Sequence, residues 1–194
     1  MKRISICLLL VTLFTVNTAT VKAAENEFYY TTKNGINLTE KEYNYIITMF
    51  DEHFLDIMNE QDYDAMQKMN VNTNDIEYKV YEPSYIESRS TIVETNSKKL
   101  VIGKSCASNM CDMTVTNTWK GVPKVKSYDV LGARIGGTTF YGDAFTTIFK
   151  FDSGNKICTE YVKASNGFGC SYKLESGSTT YYSYASFDVV PSGL

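Results

Sequence analysis

The sequence predicts a mainly β protein with N-terminal helices: an antiparallel β-sandwich or barrel preceded by a two-helix segment. Three observations predict this class. From residue 76 onward, short runs rich in Val, Ile, Thr and Tyr are interrupted by turn residues at intervals of roughly 8–12 residues. Residues 39–69 instead show apolar side chains at helical spacing. No stretch alternates a strand with a long helix, which disfavours a parallel α/β sheet.

The N-terminus has the composition of a secretory signal peptide. Lys2 and Arg3 precede an apolar run over residues 4–16, and Val21 and Ala23 are the small residues that a signal peptidase reads. The apolar run is shorter than the ~20 residues that cross a bilayer. We therefore expect an extracellular protein that is cut after the leader and has no membrane span once the leader is removed.

Composition divides the chain into three parts. They are the signal peptide (1–23), a helical N-terminal segment (24–75) and an antiparallel β domain (76–194).

Charge is unevenly distributed along the chain. The net charge is −3, and the leader holds three bases and no acids, so the mature charge is −6. Residues 39–87 carry twelve acids and three bases, whereas residues 88–194 carry eight acids and twelve bases. We expect an acidic helical part beside a mildly basic β part. No nucleic-acid partner is expected for an acidic exported chain, since phosphates require a basic surface.

Two helix starts carry capping signals. Thr39 stands three residues before Glu42, the pattern of a capping box, and Asn59 precedes an acidic first turn that ends at Asp62. The residues that follow Thr39 form one apolar stripe. We predict a helix over 39–58 and a second helix that begins at Asn59. Burial of each such side chain contributes about 1.5–3 kcal/mol, so the stripe is expected to pack on the β domain.

The strand candidates are nine segments bounded by Gly, Pro, Asn, Asp and Ser. They are 76–81, 89–95, 99–106, 111–119, 126–135, 144–151, 156–163, 168–174 and 179–190.

A further turn signal, residues 190–193, follows the last candidate strand. A strand would be natural beyond that turn. We therefore hypothesise that a terminal strand is missing or supplied by a partner. Because an unpaired edge favours association, the sequence suggests self-association through a C-terminal edge strand.

Four mature cysteines are the strongest local signal after the leader. An even number in an exported protein indicates disulfides, and four cysteines allow three pairings. Proximity favours Cys106 with Cys111 and Cys158 with Cys170, each pair stapling a hairpin. A tetrathiolate zinc site prefers C-x-x-C pairs, whereas these intervals are four and eleven residues. We therefore predict two disulfides, no metal and no other cofactor.

No motif identifies a reaction. His53 is the only histidine, which excludes sites that need two imidazoles. The G-x-S-x-G, P-loop and H-E-x-x-H motifs are missing from the sequence. We assign no catalytic residue, and keep a secreted carboxylate-dependent, glycosidase-like hydrolase as the alternative function. The sheet carboxylates for that chemistry are Asp129, Asp143, Glu160 and Asp188.

The stretch 119–129 is the best candidate for ligand binding. It holds the sole tryptophan, three lysines and a proline turn between two strands. Lysines there can meet an anionic cell-wall polymer, while ring faces can stack on sugars. The simpler interpretation is a charged hairpin loop with the tryptophan buried in the core. The expected contact residues are Trp119, Lys120, Lys124, Lys126 and Tyr128.

This stretch and the β-rich run after it, about residues 110–150, resemble secreted proteins of Gram-positive bacteria whose activity is uncharacterised. The resemblance implies export and a β fold, and it carries no catalytic residues. We therefore expect a secreted, non-enzymatic β domain that binds a cell-surface polymer or a surface protein. A self-associating structural protein of the envelope is a further alternative.

Overall fold

The structure, a computed structural model, describes residues 28–81, 86–88, 91–93, 97–158 and 161–191. The predicted signal peptide lies outside these ranges. The strands are β1 (Tyr30–Thr31), β2 (Asn37–Leu38), β3 (Glu77–Tyr81), β4 (Ile86–Ser88), β5 (Thr91–Val93), β6 (Lys98–Ala107), β7 (Met110–Trp119), β8 (Tyr128–Arg134), β9 (Thr138–Phe151), β10 (Gly154–Ile157), β11 (Tyr161–Ala164), β12 (Gly167–Lys173) and β13 (Tyr182–Pro191). The helices, which lie between β2 and β3, are α1 (Glu40–Met49), α2 (Glu52–Ile57) and α3 (Glu60–Gln67).

Two antiparallel sheets form the body of the protein. The larger sheet has six strands in the order β10-β9-β13-β7-β6-β3, and the smaller has three in the order β11-β12-β8. Two short ribbons, β1-β2 and β4-β5, accompany them. The mainly β class is therefore confirmed, and no sheet within the described residues closes into a barrel.

The six-stranded sheet is covered on both faces because side chains alternate along each strand. In β13, Tyr182 and Tyr184 pack in a core with the helices. Ala185 and Phe187 point the other way and pack in a second core with the three-stranded sheet. The molecule therefore has three layers: helices, large sheet and small sheet.

The first predicted helix, 39–58, is wrong as a single unit. It breaks at Phe50, and Asp51 adopts an extended backbone. The Asp51 carboxylate accepts a hydrogen bond from the backbone N–H of Phe54 at 3.0 Å and so caps a new helix, α2. The helical segment therefore holds three helices rather than two, because a local cap interrupts a continuous apolar stripe.

Side chains of the large sheet satisfy the carbonyl groups exposed by this break. The Thr116 hydroxyl donates to the Met49 carbonyl at 2.6 Å, and Lys99 Nζ donates to the Phe50 carbonyl at 2.6 Å. These carbonyls would otherwise lack partners at a helix end. Docking on the sheet therefore stabilises a helix end that the sequence pattern does not show.

Both predicted helix starts are confirmed. Thr39 and Glu42 form a reciprocal capping box at α1, and Asn59 and Asp62 form another at α3. No helix in the described residues is long and apolar enough to cross a membrane.

Strand positions agree with the prediction except at three segments. The strand predicted over 144–151 begins earlier, because β9 runs from Thr138 to Phe151. The segment predicted as one strand, 156–163, overlaps both β10 and β11, which belong to different sheets. The chain therefore crosses from the large sheet to the small one at this point. Instead of a single strand over 89–95, the ribbon β4-β5 spans this region, and residues 89–90 and 94–96 lie outside the described part.

The predicted C-terminal edge strand is also wrong. β13 lies in the interior of the large sheet, where it pairs with β7 on one side and β9 on the other. Its backbone groups are therefore used within the chain. Strand order depends on long-range pairing, which a local turn signal does not report.

Both predicted disulfides are present. Cys106 and Cys111 face each other across the β6-β7 hairpin. Cys158 follows β10 and Cys170 lies in β12, so this bond joins the two sheets instead of stapling one hairpin.

Removing the inter-sheet disulfide with C158S and C170S is expected to lower the free energy of unfolding by about 3 kcal/mol, because the unfolded chain is no longer closed into a loop. The matched control is C106S with C111S. Its cysteines are separated by 5 positions rather than 12, so the expected loss is roughly 2 kcal/mol. Urea unfolding at neutral pH measures both, and a larger loss from the control pair would contradict the loop-length argument.

Candidate ligand-binding site

The five predicted contact residues are divided among three places. Trp119, Lys120 and Lys124 line one open cavity of about 540 Å³. Lys126 lines a second cavity of about 570 Å³. Tyr128 lines neither cavity and is 70 % exposed at the start of β8. The structure therefore groups three of the five residues.

These places lie at the same end of the sandwich. Thr118, near the end of β7, pairs with Tyr182 at the start of β13. Tyr128, at the start of β8, pairs with Lys173 at the end of β12. The antiparallel registers bring the β7-β8 and β12-β13 connections side by side.

The first cavity is built by the connection between β7 and β8. The Lys120 backbone N–H donates to the Ser97 carbonyl at 2.7 Å, which holds the connection beside the start of β6. Residues 120–124, with Ser97 and Trp119, then form the walls. The cavity combines two lysine side chains with part of an indole ring.

Trp119 is held in place by Asp129. The indole N–H donates to Asp129 Oδ2 at 2.9 Å, and the ring packs against the core between the sheets. Lys98 Nζ lies 2.6 Å from Asp129 Oδ1 and 4.3 Å from the indole centroid. Trp119 is therefore both a partly buried core residue and a wall of the cavity. The sequence suggested these as alternatives, a buried tryptophan or a ligand contact, and one side chain combines both positions.

Asp129 is a fixed carboxylate. Burial acts to raise its pKa, but the hydrogen bond and positive charge of Lys98, the N–H of Val130 and the Trp119 donor outweigh burial and hold the pKa below its usual value. The Tyr172 hydroxyl also donates to Asp129, at 3.0 Å. Burial and the Asp129 charge raise the pKa of Tyr172, so Tyr172 remains a protonated donor.

The second cavity lies beside the connection between β12 and β13. It is lined by three lysines, Lys126, Lys156 and Lys173. Lys126 Nζ donates to the Ser176 carbonyl at 2.7 Å, so its charge also holds the connection. Lys156 forms an ion pair with Glu175, and this contact lowers the pKa of Glu175.

The same connection is fixed by Asp152. The backbone N–H groups of Thr179 and Thr180 donate to its carboxylate at 2.8 and 3.0 Å. Burial acts to raise the pKa of Asp152, but these hydrogen bonds outweigh it and lower the pKa to about 2. At neutral pH the carboxylate is ionised, and the walls of the second cavity keep their position.

Positive charge predominates at this end. Lys98 pairs with Asp129 and Lys156 with Glu175, whereas the partners of Asp152 are uncharged N–H and hydroxyl groups, so six of the lysines named above face three carboxylates. We call the five lysines that line the two cavities the basic end; they are Lys120, Lys124, Lys126, Lys156 and Lys173, and of these Lys156 is paired with Glu175.

Sequence reasoning missed several residues of this end. Lys156 and Lys173 were not expected near the tryptophan, and neither were Lys98 and Tyr172. The only available signal was the excess of bases over residues 88–194. Sheet pairing, which local patterns do not report, brings these side chains together.

The carboxylates considered for hydrolysis occupy different environments. Asp129 is tied to Lys98, which makes it unsuited to act as a general acid. Glu160 and the side chain of Asp143 lie outside the described part of the chain. Asp188 faces Asp112 across β13 and β7. Burial and, second to it, the negative charge of Asp188 raise the pKa of Asp112.

In the described residues no three His, Cys, Asp or Glu side chains are placed to hold a metal ion.

No family model, curated protein sequence or solved structure matches the chain.

Proposed function

We propose that this chain is a secreted, non-enzymatic binding protein whose basic end holds an anionic polymer of the cell surface. The observation that carries this proposal is the grouping of five lysines around two open cavities. A surface of like charges concentrates a polyanion through its summed field, without the need for one deep pocket. An acidic surface protein is the other partner with matching charge.

The arrangement suits a polymer better than a small anion. The two cavities share the connection between β7 and β8, since Lys124 lines one and Lys126 lines the other. A flexible chain with repeated negative charges can contact both at once, and each further contact adds to affinity at little entropic cost. A small anion would contact one cavity only.

The indole of Trp119 adds a rigid contact surface. Its hydrogen bond to Asp129 and its packing in the core hold the ring before any ligand arrives. Ligand binding therefore costs less conformational entropy, because the ring does not have to become ordered when the ligand binds. An indole that lines a cavity beside lysines fits a polymer that alternates sugar or polyol units with anionic groups.

The disulfides are compatible with export. One of them joins the two sheets, and such bonds persist in oxidising compartments. Together with the leader predicted over residues 1–23, they support the proposed extracellular location.

Reversing charge at the basic end is expected to weaken polymer binding about tenfold or more. The test variant is K124E with K173E, one lysine from each cavity. Lys126 stays unchanged, because it also holds the β12-β13 connection. Binding is measured as retention on purified Gram-positive cell wall and as affinity for poly(glycerol phosphate), each at low and high salt.

The matched control is K104E with K163E, which changes the net charge equally. Lys104 pairs with Met113, toward the β6-β7 turn, and Lys163 lies in β11. The control is expected to bind like the native protein, and salt is expected to release the native protein. Equal weakening by both double variants, or retention that salt does not change, would refute a specific basic end.

A further inference from the structure

A separate cavity of about 390 Å³ lies on the acidic, helical side of the molecule. We propose that this cavity is a binding site for an organic cation of the quaternary ammonium class. It is lined by Tyr30, Tyr43, Glu52, His53, Leu55 and Asp56. The inference is independent of the basic end, which has the opposite charge and different residues.

Tyrosine rings form one wall. The Tyr43 ring centroid lies 5.2 Å from that of Tyr29 and 5.3 Å from that of Tyr30. Tyr30 and Tyr43 also pack against the helical core, which restricts their motion. The face of an aromatic ring attracts cations through its quadrupole, and clusters of such rings recognise quaternary ammonium groups.

A carboxylate completes the cavity. Glu52 stands in the first turn of α2, beside Tyr43, and within the described residues the structure gives it no hydrogen bond or ion pair. Asp56 differs, since Lys33 Nζ lies 2.7 Å from its Oδ2. The cavity therefore offers one uncompensated negative charge, which matches a monovalent cation.

The wall chemistry selects a large, weakly hydrated cation. Na⁺ and ammonium are strongly hydrated, and two tyrosine faces with one carboxylate do not replace their water ligands. A trimethylammonium group gives up its water readily and presents methyl groups that pack on rings and on the buried Leu55. The ligand class is thus set by apolar contact together with positive charge.

The test compares choline with 3,3-dimethylbutanol, which has the same shape and no charge. Each is titrated into the native protein, and the tyrosine ring resonances are followed by NMR. We expect choline to cause saturable shifts of Tyr30 and Tyr43, with an affinity about tenfold above that of the neutral analogue. Equal affinity of the two compounds, or no saturable shift with choline, would overturn the proposal.

Variants locate the site. E52Q is expected to weaken choline binding about threefold or more, whereas E60Q, which removes an acid outside the cavity, leaves it unchanged. Y43L is expected to weaken it about tenfold, and Y43F, which retains an aromatic ring, to preserve most of it. Circular dichroism checks that each variant is folded. If neutral monosaccharides displace choline and bind more tightly, the cavity is a carbohydrate site and the cation proposal fails.

Discussion

The K150M variant is expected to lose about 3–5 kcal/mol of unfolding free energy, the cost of leaving a buried charge unpaired. Lys150 Nζ lies 2.6 Å from Asp62 Oδ2, and the two side chains are 3 % and 0 % exposed. The Tyr184 hydroxyl and the Asn155 amide both donate to the other oxygen of Asp62, at 2.8 Å. Asp62 belongs to α3 and Lys150 to β9, so this network attaches the helical layer to the large sheet.

Urea unfolding at neutral pH measures this loss. The control is K156M, which removes a lysine from the adjacent strand β10, where its side chain is 56 % exposed and paired with Glu175. Exposed ion pairs contribute little, so the control is expected to lose less than 1 kcal/mol. A K150M variant as stable as the K156M variant would show that Asp62 needs no counter-charge, contrary to our interpretation.

The second large effect concerns Asp129. D129N is expected to lower the free energy of unfolding by about 2–3 kcal/mol, because Lys98 loses its counter-charge and two donors, Trp119 and Tyr172, lose a charged acceptor. This expected loss of stability is smaller than that for K150M, because the Lys98 and Asp129 side chains are 24 % and 12 % exposed.

The same carboxylate makes stability depend on pH. Its pKa is lower in the folded protein than in the unfolded chain, so the unfolded state binds the proton first. The contribution is complete above the ordinary pKa of an aspartate, near 3.9, and is lost as the pH falls toward the folded value. Between about pH 5 and pH 3, native protein should lose more stability than D129N does.

Denaturant unfolding at pH 7 and pH 3 tests both expectations for Asp129. D64N, at an exposed position in α3, is the control and is expected to change stability by less than about 0.5 kcal/mol at pH 7. Since Asp129 positions Trp119, D129N should also weaken polymer binding. Parallel pH curves for native protein and D129N would argue against an ionised Asp129 in the folded state.

Local signals predict part of this structure well. The caps at Thr39 and Asn59 depend on side chains three residues away, and both are present. The pairing of Cys158 with Cys170 is the one that proximity in the sequence favoured. Most strands also lie where β-branched and aromatic runs between turn residues predict them.

Long-range contacts escape such signals. Asp62 and Lys150 are separated by 88 positions, and no local sequence pattern at either residue predicts that they form an ion pair. The helix break at Phe50 depends partly on Lys99 and Thr116, which belong to the sheet. The candidate site shows the same limit, because Trp119 was predicted whereas its partners Lys98 and Tyr172 were not.

The amino-acid sequence alone determined the mainly β class, the helix starts and the cysteine pairs, because each depends on the spacing of nearby residues. Tertiary structure decided that the last strand lies inside the sheet, that five lysines share one end, and that two tyrosines and a glutamate line one cavity. The reason is physical: periodicity reports which face of a segment is buried, whereas strand order and layer contacts depend on interactions between distant segments.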